Sequence, residues 1–325
     1  MGWRGSLLPV PRKLRVQYPG AIYHVMNRGD RREPLFHDDA DRRRFVETLG
    51  EACGKTGWQV HAYVLMPNHF HLVVETPQAN LVVGMKWLLG VYTSRFNRRH
   101  QVFGHLFSGR YKSLIVDGSG EGYLKTVCDY VHLNPARAKL LRLEQPLRDY
   151  AWSSWPAYLR SAGLRPEWLR VERLLGEYRI PKDSAAGRRV LEAAGEERRG
   201  KEETAGYQPL RRGWCYGEAA FKAELLEAVS AQAGTAHYGD ELRESAEAQA
   251  ERWVAAALAR KGWTEEDLVG RRKGDAFKVR LARELRENTT VTVAWIATRL
   301  HMGTRGHLTH LLYWQGRKKG KSAST

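Results

Sequence analysis

His69 and His71 flank a single residue, Phe70, in a segment whose composition reads as a β-strand. Side chains alternate along a strand, so the two histidines share one face and Phe70 points into the opposite layer. Two imidazoles about 7 Å apart at Cβ can hold one metal ion between them. Taken alone, the triplet reads more simply as two hydrogen-bonded surface histidines. A second pair shifts that balance. Tyr130 and Asn134 stand four apart in a helical segment, which stacks them on one face with Cβ atoms about 6 Å apart. A free phenol, with a pKa near 10, is a weak nucleophile until it is helped. Beside a Lewis acid that polarises a phosphate, Tyr130 could attack phosphorus, with the Asn134 amide oxygen as a third ligand. The plainer alternative makes Tyr130 a core aromatic next to Val127 and Val131. His132 falls two residues from Tyr130, on the opposite side of the helix, and is expected to make a structural hydrogen bond. The donor set and a phosphate substrate suit Mg2+ or Mn2+, the imidazoles favouring manganese, with zinc as the alternative.

These residues need a scaffold. Residues 21–26 read as a first strand, closed by the turn residues Asn27-Arg28-Gly29. A helix follows, capped by Asp38 or Asp39, with Phe45, Leu49 and Ala52 at helical spacing. Strands at 58–66 and 70–75 flank Pro67-Asn68, which predicts an antiparallel hairpin. A helix at 81–98, a strand at 111–117 and a helix at 123–133 complete the set. The last is expected to end near Asn134-Pro135, because the residue before a proline is disfavoured in the helical region. The order is that of an α+β, ferredoxin-like domain: a four-stranded antiparallel sheet with helices on one face. Residues 163–215 read as a linker with some helix, and 216–325 as a helical domain with a basic tail that is expected to be disordered.

The 325 residues allow two domains. Lys and Arg number 53 against 36 Asp and Glu, a net charge of +17, and the sequence pI is about 9.9. That balance points to a polyanion, nucleic acid before membrane. No apolar run spans a bilayer, and the start of the chain lacks a signal-peptide pattern. A cytoplasmic, nucleoid-associated protein is expected. Cys53, Cys128 and Cys215 are too scattered for a disulfide framework or a zinc site.

At this point the chain resembles a known family. Met66-Pro67-Asn68-His69-Phe70-His71-Leu72-Val73 is similar to the core motif of the single-tyrosine HUH transposases, and the REP-associated tyrosine transposases are the most similar branch. Other blocks follow in the same order. Tyr18-Pro19-Gly20 and Asn27-Arg28-Gly29 come before the motif. Gly104-His105-Leu106-Phe107, Gly109-Arg110-Tyr111-Lys112-Ser113, Tyr130-Val131-His132-Leu133-Asn134-Pro135 and Tyr150-Ala151-Trp152-Ser153-Ser154 come after it. The resemblance covers residues 18–158 and makes 1–162 the catalytic domain. It implies that His69, His71 and Asn134 bind the metal. It also implies that Tyr130 attacks the scissile phosphate, staying joined to the 5′ phosphate and freeing a 3′ hydroxyl. The implied substrate is hairpin-forming repeat DNA in single-stranded form.

DNA contacts are expected from Arg28, Arg31, Arg32, Arg110 and Lys112, which stand beside strand ends near the motifs. In the last third, 293–300 and 304–313 read as two short helices around Met302-Gly303, a helix-turn-helix with His301 where a glycine is usual. Its second helix would offer Thr304, Arg305, His307 and His310 to duplex DNA. Two other readings remain open: a domesticated DNA-binding protein that does not cut, and a replication initiator or relaxase. Either a monomer or a homodimer is compatible with the sequence. No phosphate-binding G-x-x-x-x-G-K-[ST] loop is present.

Overall fold

A central strand with apolar residues on both faces needs a layer on each side, and that requirement sets this architecture. The computed structural model describes residues 15–120, 122–201, 207–232 and 238–321. Strands β1 (Ala21–Arg28), β2 (Gln59–Met66), β3 (His69–Thr76) and β4 (Lys112–Val116) pair antiparallel in the order β2-β3-β1-β4. The expected four strands are present. A fifth, β5 (Cys215–Tyr216), adds in parallel at the β4 edge. Two residues carry no periodic pattern, so nothing in the sequence marked it.

Helix α1 (Asp39–Thr56) is capped by Asp38, which accepts from the Asp41 amide at 3.0 Å, and stops at Gly57 in the left-handed region. It packs with α2 (Leu81–His100) over the face to which Phe70 points. There the Phe70 ring lies 4.9 Å from Phe45 and 6.2 Å from Phe107. Helix α3 (Tyr123–Arg137) lies on the opposite face, against His71. The expectation of helices on one face is therefore corrected. Phe70, Leu72 and Val74 bury one side of β3, and His71 and Val73 bury the other.

Helix α3 also runs past its expected end, through Pro135 to Arg137. Proline removes one backbone donor, but downstream Ala138 N still donates to Asn134 O at 2.9 Å. Leu133, Asn134 and Pro135 are all buried there. Packing outweighs the local preference at that turn.

Beyond α3 come α4 (Trp155–Tyr158), α5 (Glu172–Glu177), α6 (Ala185–Gly200) and α7 (Gln208–Arg212). Leu174, Leu175, Leu191 and Leu210 bury their side chains in the core of the sheet. A second core, including Val254, Leu258, Leu268, Leu285, Ile296 and Leu308, is built by α9 (Tyr238–Lys261), α10 (Glu265–Gly270), α11 (Ala276–Asn288), α12 (Val293–Arg299) and α13 (Arg305–Lys321). Helix α8 (Ala219–Gln232) precedes them. The segment expected as a disordered tail continues α13 as helix to Lys321. Lys55 of α1 donates to the Arg286 and Glu287 carbonyls at the end of α11, where a cation meets the negative end of the helix. No helix among the described residues is long and apolar enough to cross a membrane. The three cysteines are buried free thiols.

One close approach fixes how α2 sits on the sheet. A Cβ added at Gly84 would stand 2.1 Å from Trp58 Cζ2. Trp58 cannot swing away freely, since it is buried and its Nε1 donates to Asn80 Oδ1 at 2.8 Å. Gly84→Ala is expected to cost about 1–3 kcal/mol through overpacking. Urea denaturation should show a lower midpoint at unchanged slope; an unchanged midpoint would mean that Trp58 yields.

Candidate active site

Strand alternation delivers His69 and His71 to the α3 face, with ring centroids 5.2 Å apart and planes at 80°. His69 is half-buried and His71 is buried. Each has its Nδ1 engaged. Asn68 Oδ1 lies 2.8 Å from His69 Nδ1, and Asn68 Nδ2 donates to Arg32 O at 3.1 Å, which orients the amide. An amide oxygen only accepts, so His69 Nδ1 carries the proton and Nε2 keeps its lone pair.

The partner of His71 is a residue that the sequence reading missed. His24 Nε2 stands 2.9 Å from His71 Nδ1, with the rings nearly parallel at 17°. His24 lies on β1 two residues before Met26, the register partner of His71, and so on the same face. Burial pushes the His24 pKa down to about 4, with the Arg137 charge adding to the effect. Burial, then Arg28, lowers His69 to about 4. His71 is held well below the ordinary histidine value by burial and by its neighbours His24 and His69. All three imidazoles are neutral at pH 7, the form that binds metals.

Helix α3 brings Tyr130 over this pair. Its ring centroid is 5.5 Å from His71 and 5.6 Å from His24, edge-on to both. Tyr130 is 5% exposed. Tyr207 covers it at 5.3 Å, and the Arg137 guanidinium carbon lies 4.1 Å over its ring and 4.9 Å over that of Tyr207. Arg137 also donates to the Tyr130 carbonyl oxygen. Asn134 Nδ2 donates to the same carbonyl at 3.1 Å. Its Oδ1 is then the atom left for a ligand.

On the adjacent flank of α3, Asp129 pairs with Arg198 at 2.7 Å and accepts from the Tyr178 hydroxyl; burial raises its pKa to about 6. These contacts tie α3 to α5 and α6. His132 takes the structural part expected of it. Its Nε2 is 2.8 Å from Ser154 Oγ, and its ring packs on Trp155 and Tyr158.

The cationic candidates separate into groups. Arg28 pairs with His69 across β1 and β3, and Lys112 pairs with Met26 across β1 and β4. Both are exposed on the histidine face. Arg31 and Arg32 are exposed in a 3-10 turn with left-handed φ values of 49° and 66°, tied to the motif through Asn68. Arg110 instead lines a groove together with Arg305. At the head of α13, Thr304 Oγ1 accepts from His307 N at 3.3 Å. Thr304, Arg305, His307 and His310 are all exposed there. His301 has φ 50°, the left-handed geometry that a glycine would adopt with least strain.

A second cluster was not foreseen. His37, Asp41 and His100 place one ligand atom each within 4.8 Å of one another. It lies at the α1 and α2 ends, and Asp41 is already engaged by Arg99, by His100 and by the His37 amide. That network accounts for the buried carboxylate without an ion.

Residues 17–134, from the entry to β1 through Asn134, match the model of the family described as IS200-like transposase, a little over a third of the chain. A solved structure of a REP-associated tyrosine transposase bound to a REP hairpin is also similar. The identity is 14%, over 50% of this chain and 92% of that one, with a TM-score of 0.39. No curated protein matches the chain.

Proposed function

We propose that this protein nicks single-stranded hairpin DNA and transfers the strand through a 5′-phosphotyrosine on Tyr130. The observation that carries the reading is the Tyr130 ring held 5.5 Å from His71, on the face shared with His69. The donor set fits a divalent ion: two neutral imidazoles, each with Nδ1 engaged and Nε2 available, plus an amide oxygen. His69, His71 and Asn134 would hold Mg2+ or Mn2+. When bound, the ion would polarise the scissile phosphate.

The protein's own part follows from the surrounding contacts. Tyr130 Oη loses its proton and attacks phosphorus; the bond from phosphorus to the 3′ oxygen breaks, and that oxygen leaves as a protonated hydroxyl. The 5′ phosphate stays on Tyr130, so the bond energy is kept for rejoining and no nucleotide hydrolysis is required. Arg137 places positive charge over the Tyr130 ring, beside the position that the phosphate would take. Arg28 and Lys112 stand exposed at the His69 end to receive the backbone. Hairpin-forming repeats as substrate follow from the resemblance to REP-associated transposases. The α12 and α13 pair is proposed to grip duplex DNA as a helix-turn-helix, in a cytoplasmic protein acting as monomer or homodimer.

His24 is proposed to set the His71 tautomer. When His71 Nδ1 donates to His24 Nε2, His71 Nε2 is free to ligate; the reverse arrangement blocks it. His24→Ala is expected to weaken Mn2+ binding about 10–100-fold, read as free Mn2+ by electron paramagnetic resonance. His24→Gln should restore part of it. Equal affinity in wild type and His24→Ala would remove His24 from the account.

The reaction is tested with a hairpin labelled at either end, with Mn2+ or EDTA, on a denaturing gel. The reading expects the 3′ label to move onto protein and the 5′ label to appear as a shorter free fragment, in Mn2+ only. Tight binding without an adduct in any metal would favour a non-cleaving DNA-binding protein.

A further inference from the structure

A groove of about 1920 Å³ runs between α2 and the α11–α13 unit. It lies outside the helices that cover the Phe70 face, so the sheet separates it from Tyr130. Eight lysines and arginines line it, against three glutamates. Lys86 and Arg110 on one wall, and Arg286 and Arg305 on the other, are exposed side chains with no carboxylate partner among the described residues. Within the groove Arg95 is paired with Glu51, and elsewhere many arginines are paired, as Arg99, Arg165 and Arg299 are. Like charges gathered unpaired in a concave site repel one another, and a polyanion relieves that repulsion. Trp87 and Trp295, both half-buried, stand in opposite walls. Flat aromatic surfaces among cations suit a strand whose bases are unpaired and can stack.

We infer that this groove holds a single strand of DNA, at a site separate from the strand attacked by Tyr130. Its two walls come from different parts of the chain, and the helical wall lies outside the segment shared with the IS200-like family. The site therefore joins the two units around one strand. The choice of DNA as the polyanion rests on the DNA-processing reading.

The test uses the full chain carrying Tyr130→Phe, so that binding is read without cleavage. Anisotropy of a labelled, unstructured oligothymidine is followed as salt is raised. Lys86→Ala with Arg286→Ala should weaken binding several-fold and flatten the plot of log affinity against log salt by about 1.4, since each phosphate contact on single-stranded DNA contributes about 0.7. A control pair of exposed cations outside the groove, Arg43→Ala with Lys261→Ala, should leave the slope unchanged. Equal slopes in wild type and the groove variant would overturn the inference, as would equal losses in groove and control variants. Loss for a duplex of the same length but not for the single strand would overturn the single-strand assignment. The readout involves no adduct, so it stands or falls apart from the cleavage reading.

Discussion

Alanine at both His69 and His71 is expected to lower Mn2+ affinity by more than about 10²-fold, beyond what loss of an outer partner alone produces. Covalent capture of DNA should disappear with it. The expectation rests on the donor count, because only the Asn134 amide oxygen would remain. The two positions differ in what else they do. His69 is half-buried and bonded to the neighbouring Asn68, so His69→Ala alone should keep the fold. His71 is buried against His24 and Tyr130, so its loss also leaves a cavity. Thermal unfolding of each single variant separates the effects: His69→Ala should unfold like the wild type while losing metal. If calorimetric titration gave the double variant wild-type affinity, the ion would sit elsewhere, and the His37, Asp41 and His100 cluster would be the place to look.

Tyr130→Phe is the sharper change. Phenylalanine keeps the edge contacts to His24 and His71 and the face offered to Arg137. Only the hydroxyl goes, so stability and metal affinity should hold. Adduct formation should fall by roughly 10⁴-fold or more, the scale on which loss of a nucleophile is felt. Single-turnover gels with excess protein measure this directly. Residual capture near the wild-type rate would mean that another hydroxyl attacks.

How far the sequence foretold this site depends on the range of each interaction. His69 and His71 were legible because strand alternation is local, and Tyr130 with Asn134 because helical spacing is local. His24 was not. It reads as one polar residue in an apolar strand, and only the β1–β3 register puts it beside His71. Arg137 was lost for a different reason. The proline rule ended the helix at Asn134, whereas the buried turn carries α3 on and returns Arg137 over Tyr130. Tyr207 reaches the site from far along the chain, after a segment whose charge resembled a linker. The helices on two faces were likewise obscured, because a buried central strand shows an apolar run rather than alternation.

The closed state of the site bears on mechanism. Tyr130 is nearly buried beneath Tyr207 and Arg137, so the proposed attack on a phosphate would require part of that cover to move. Tyr207 is a second phenol beside Tyr130, with ring centroids 5.3 Å apart.

Peptide mapping by mass spectrometry, on the adduct formed with hairpin DNA in Mn2+, tests the central claim most directly. The account predicts the nucleotide mass on the peptide that contains Tyr130, and no adduct from Tyr130→Phe. The same mass on the Tyr207 peptide, or an adduct that survives Tyr130→Phe, would contradict it.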